Sequence, residues 1–208
     1  MLPALFLVFC LVHVYILYFF LLNNAEWGVC QLILVALEAG LVCDNFLLGL
    51  GLFLSSKLGV DLFTTISRVR FLLHGGILPL TFIIEIDLLA RIYSVPSWVY
   101  LLVVVSSSVL AIHGFYANLR VPLKQTSADG IYRCTPQKPL LENILLAILV
   151  TLAGLVVGVI QYYTSNVSTF LIGCIAMLVM SGLPGKGGRY GGNFGEILFC
   201  GSLVLLYL

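Results

Sequence analysis

Glu38, Asp44, Asn45, Arg70, His74 and Glu85 stand within or beside long apolar stretches, where ionisable and strongly polar side chains are rare. A charge at the centre of a membrane helix costs about 2.5 to 3.5 kcal/mol on insertion scales, so such residues turn inward and are default functional candidates. Their types suit proton handling and anion binding. His74 is the candidate general base or ligand; Glu38, Glu85 and Asp44 are the groups expected to hold protons or a cation; Asn45 and Arg70 are the expected substrate-binding groups.

Helical phase sorts these residues into faces. At about 100° per residue, Glu38 and Asn45 share a stripe and Asp44 points away from Asn45, at its edge. Arg70, His74, Thr81 and Glu85 share a second stripe. Asp87 points elsewhere and precedes Arg91 by one helical turn, the favourable order for a structural ion pair. Counted from the cytoplasmic ends at about 1.5 Å per residue, Glu85 lies roughly 21 Å deep and Glu38 roughly 24 Å, so antiparallel helices would let the two carboxyls meet. Carboxyls that close would share a proton, bind a cation or neutralise a base.

Two more histidines sit in apolar segments. His13 falls near mid-membrane, and His113 falls near the cytoplasmic end at the depth of His74. His74 and His113 are therefore the candidate ligands for a divalent metal or, between two axial imidazoles, a haem.

These side chains must be carried by helices. A crossing needs about 20 apolar residues, and the stretches Leu2 to Leu22, Gly28 to Leu54, Phe71 to Tyr93, Trp98 to Tyr116, Leu141 to Tyr163 and Ser168 to Pro184 approximate that, with a shorter seventh from Phe194 to Leu208. The expected fold is all-α: a single polytopic membrane bundle of seven segments over residues 1–208. Pro79, deep in the third segment, predicts a kink.

Nine of the ten basic residues, all but Arg91, fall in loops on one side of this zigzag. Short Lys- and Arg-rich loops stay cytoplasmic, so the amino end is expected inside and the carboxyl end outside. One such loop, residues 117–139, reads as a β-hairpin lid whose Arg120, Lys124 and Arg133 attract an anionic headgroup. Another, residues 182–195, has seven glycines in fourteen positions and reads as a flexible cytoplasmic linker.

A hydrophobic share of 61%, a mean hydropathy of +1.14 and a net charge of +1 exclude a soluble globule and leave no field for nucleic acid. The six cysteines show no CxxC pair and read as buried hydrophobes. The function expected is an intramembrane enzyme acting on a lipid or isoprenoid substrate near the cytoplasmic interface. A proton-coupled transporter using the buried carboxylates is the second reading. A noncatalytic subunit is the third, its partner a second copy or a larger membrane complex, with Gly154 and Gly158 as a contact face. The expected location is an integral, multi-pass place in a membrane.

Overall fold

A computed structural model describes residues 2–128, 130–138, 141–183 and 185–208, without the side chains of Leu2, His74, Glu142, Asn143 and residues 185–189. The helices are α1 (Leu2–Asn23), α2 (Val29–Leu58), α3 (Val60–Ile77), α4 (Thr81–Ala90), α5 (Ser97–Arg120), α6 (Leu141–Ser165), α7 (Thr169–Ser181) and α8 (Gly185–Leu206). A 3-10 turn, Leu78–Leu80, joins α3 to α4 around Pro79, whose ring nitrogen has no hydrogen to give a helical ladder. Two strands, β1 (Leu123–Ala128) and β2 (Ile131–Pro136), lie between α5 and α6.

Among the described residues, five helices are long and apolar enough to cross a membrane: Pro3–Asn23, Val29–Leu58, Val60–Ala90, Ser97–Arg120 and Ile144–Ser165. The chain is thus an all-helical, multi-pass membrane protein. Two shorter apolar helices, Thr169–Ser181 and Tyr190–Leu206, pack against each other.

The third crossing begins at Val60 and not at Phe71, so Arg68 and Arg70 are helix residues and not loop residues. The entire α2–α3 connection is Gly59, whose φ of 78° suits only glycine without strain and whose N–H caps α2 through Ser55 O at 3.1 Å. The first turns of α3 are amphipathic, burying Phe63 and Ser67 while Asp61, Thr65 and Val69 face outward. An averaged hydropathy misses such a helix because the polar face dilutes the apolar one. Arg68 stabilises the corner from α3, donating from Nη1 to the carbonyls of Leu119 and Val121 at 2.8 Å and of Asn118 at 3.3 Å, where α5 ends.

The segment 182–195 also departs from its expected form, being helical from Gly185. Its glycines serve close packing: a methyl group on Gly191 would fall 2.3 Å from Met180 O, and one on Gly195 would fall 3.0 Å from Met177 Cα. The backbones of α7 and α8 therefore run side by side, and dispersion along that seam offsets the poor helix propensity of glycine. Gly154 and Gly158 likewise face inward, against Cys174 and the backbone of Leu171 on α7, and do not form an external contact face.

The main core gathers Leu34, Leu41, Ile84, Leu88, Val150, Phe170 and Leu203 from α2, α4, α6, α7 and α8. The β1–β2 hairpin pairs antiparallel from Leu123↔Pro136 to Ala128↔Ile131 and packs on the end of the bundle where α2 meets α3. That end carries most of the basic residues and is called the basic end below. Ile131 is buried there with Phe6, Phe9, Leu48 and Ile197, and the ring of Tyr132 lies 5.6 Å from that of Phe63.

Candidate functional site

The buried stripe of α1 is Phe6, Cys10, His13 and Phe20, spaced to keep one face on the bundle, and it turns His13 toward α2. His13 Nδ1 lies 2.7 Å from Glu38 Oε2, and both residues are fully buried. His13 Nε2 and Glu38 Oε1 have no hydrogen-bond partner among the described residues. The pair is neutral overall whichever member holds the proton, which is what makes it tolerable in hydrocarbon. An imidazole oriented through Nδ1 by a carboxylate presents Nε2 for proton exchange.

Asp44 and Asn45 lie six and seven residues further along α2, about 10 Å nearer the basic end. Asp44 forms an ion pair with Arg70 of α3, with the Arg70 side chain 17% exposed. Asn45 donates from Nδ2 to Leu41 O at 2.9 Å and accepts at Oδ1 from Asn193 Nδ2 of α8 at 3.1 Å. Glu196, one turn beyond Asn193, interacts electrostatically with both Glu38 and Arg70, and Arg133 of β2 interacts with Arg70. Polar side chains of α1, α2, α3 and α8 thus form two separate groups along α2, His13 with Glu38 at mid-bundle and Asp44 with Arg70 and Asn45 with Asn193 nearer the hairpin.

No family model, curated protein or solved structure matches this chain.

The expected residues divide between places. Asp44 and Arg70 come together, Asn45 turns instead to Asn193 of α8, and Arg133 of β2 bears on Arg70 through the electrostatic repulsion of the two guanidinium groups. Glu38 and Glu85 do not meet. Glu38 turns to His13, whereas Glu85 turns to the opposite side of the core, lining a groove with Phe82, Ser107 and Val157 between α4, α5 and α6. Equal depth fixes one coordinate of a side chain, and the rotation of each helix in the folded bundle fixes the other.

His74 lies on α3, but its side chain is outside the described residues. His113 is exposed on α5. Among the described residues no group of three or more His, Cys, Asp or Glu side chains is arranged to hold a metal ion. Arg120 is exposed with its guanidinium 4.0 Å from the ring centre of Tyr116, and Lys124 is exposed on β1. Asp87 and Arg91 form the ion pair expected of them at 3.1 Å; Tyr207 completes it by donating to Asp87 Oδ2 at 2.8 Å, which fastens the end of α8 to α4.

Three participants escaped the sequence reading. His13 was legible as a mid-membrane histidine, but counting along the apolar runs puts it roughly 8 Å short of the depth of Glu38, so depth alone did not join the two. Asn193 was hidden in the glycine-rich stretch, and Glu196 stood at the start of the seventh apolar segment without a face to assign it to. Extending the last helix back through those glycines sets Asn193, Glu196 and Cys200 on one face at offsets of about three and seven residues.

Proposed function

We propose that the protein is an intramembrane enzyme that acts on a lipid or isoprenoid substrate entering at the basic end. The observation that carries this reading is the alignment, along α2, of a buried imidazole–carboxylate pair with a partly exposed guanidinium–carboxylate pair. Arg70, with the charge of Arg133 adding to the positive field there, binds the anionic group of the substrate. His13 Nε2 exchanges a proton with the reacting group, and Glu38 holds the ring and balances the charge it gains. Asn45, held by Leu41 O and by Asn193, braces α2 against α8 next to the guanidinium–carboxylate pair.

A groove of about 480 Å³ lined by Tyr15, Ile16, Phe19, Ile172, Leu198 and Leu205 opens beside the His13 level between α1, α7 and α8. In this reading it receives the apolar chain. His74, four residues after Arg70 on α3, is the second candidate for proton transfer by helical phase. The basic residues Arg120 and Lys124 hold the hairpin side at anionic headgroups.

The bundle is further proposed to cross seven times, α7 and α8 supplying the last two crossings, with the amino end cytoplasmic. The nine-to-one distribution of basic residues supports that orientation.

Lipid mass spectrometry of membranes carrying the wild-type chain, His13→Gln, Glu38→Gln or Arg70→Met tests the enzyme reading. A lipid species should change in abundance with the wild type alone. Profiles that are the same for all four proteins would overturn catalysis and favour a packing role in a larger assembly.

A further inference from the structure

Glu85 poses a separate problem. It is 3% exposed, and neither Oε1 nor Oε2 has a hydrogen-bond partner among the described residues. The hydroxyl of Ser107, also buried and without a partner, lines the same groove from α5. Ser106 also lines this groove of about 310 Å³, its hydroxyl donating to Val103 O at 3.1 Å; the other walls are apolar side chains such as Phe82, Leu110 and Val157, and the lining contains no basic residue. Arg91, the nearest cation along the chain, is engaged by Asp87 and by the ring of Tyr207 at 4.2 Å.

Space for the carboxyl is built in. A methyl group at Gly154 of α6 would lie 3.1 Å from Glu85 Oε1 and 3.0 Å from Cys174 Sγ, closer than side chains ordinarily pack. Glu85 also lies five residues before the end of α4, about 8 Å below it, a depth that the polar end of an amphiphile reaches from the interface.

A buried carboxyl whose two oxygens have no partner among the described residues is a half-made interaction, and here it lines a groove that a membrane-dissolved chain can enter. We propose that the α4–α5–α6 groove is a second ligand site, distinct from the His13–Arg70 cluster, which binds a single-chain amphiphile by a terminal hydrogen-bond donor accepted by Glu85. The donor is a hydroxyl or an amine. An anionic headgroup is disfavoured, because the groove would set it against a carboxyl with no cation to compensate.

The test uses the full chain in lipid nanodiscs with three photoactivatable long-chain probes that differ only in a terminal amine, alcohol or methyl ester. Labelled peptides are located by mass spectrometry. The amine or alcohol probe should label α4, α5 and α6 about fivefold more than the ester, the effect of one hydrogen bond. Glu85→Leu should reduce that labelling to the ester level, and Gly154→Ala, which encroaches on the carboxyl, should reduce it independently. Loss of amine labelling in Glu85→Gln identifies an ammonium ligand, while retained alcohol labelling identifies a hydroxyl. Labelling of the wild-type chain is read without turnover, so failure of the enzyme reading leaves this result intact. Equal labelling by the three probes, or full donor-dependent labelling of Glu85→Leu, would overturn the site.

Discussion

His13 of α1 and Glu38 of α2 face each other at 2.7 Å in the middle of the bundle, each without exposure to solvent. Removing one member strands the other. His13→Ala should cost about 3 to 5 kcal/mol, because a buried carboxyl loses its partner and a cavity opens. The double replacement His13→Phe with Glu38→Leu should recover much of that loss and none of the proposed activity. Thermal unfolding in detergent, run beside the lipid assay, separates the two effects; a single replacement as stable as the wild type would show that the contact is dispensable.

Arg68 is expected to hold the α3–α5 corner. Its three carbonyl acceptors cluster at the end of α5, so Arg68→Met should cost about 1 to 2 kcal/mol, a range reduced for partial exposure. Hydrogen exchange should rise around residues 118–121 before it rises elsewhere. Lysine should restore only part of the effect, since a point-like ammonium lacks the planar fork. Unaltered exchange at that corner would count against the capping role.

Gly51 is where the hairpin rests on α2. A methyl group there would come within 1.9 Å of Tyr132 O, a clash with backbone that no side-chain rotation relieves. Gly51→Val should lift β2 from the bundle and speed tryptic cleavage after Arg133, with little change in helix content. Cleavage at the wild-type rate would mean that the hairpin shifts without detaching.

Orientation is testable by labelling. In a chain freed of its six native cysteines, a cysteine replacing Ser94 should react with an impermeant maleimide in intact cells. One replacing Ser127 should react only after permeabilisation. The opposite pattern would reverse the proposed topology.

How far the sequence carried can be traced residue by residue. The apolar runs of α1, α2, α5 and α6 were legible because each is apolar on nearly every face, as a helix in lipid must be. Pro79 and the Asp87–Arg91 pair were legible because their causes are local. The first turns of α3 were not, since the polar face of Asp61 and Thr65 masked the apolar one. The start of α8 was hidden by a propensity argument that a tertiary contact overrides: glycine disfavours an isolated helix, yet only glycine lets α7 and α8 approach so closely. The Glu38–Glu85 meeting failed on azimuth, for which a single sequence offers depth but no reference direction.

Ile131 shares its buried cluster with Phe6 of α1, Leu48 of α2 and Ile197 of α8. The hairpin leaves the ribosome well before α8 does, so it first meets a mouth with one wall missing and the polar residues of α2 still open to water. Arrival of α8 supplies Asn193 and Glu196 together with the apolar seat for Ile131. A nascent chain halted before α8 is thus expected to hold His13, Glu38 and Arg70 without the residues of α8 that complete the polar site and seat Ile131.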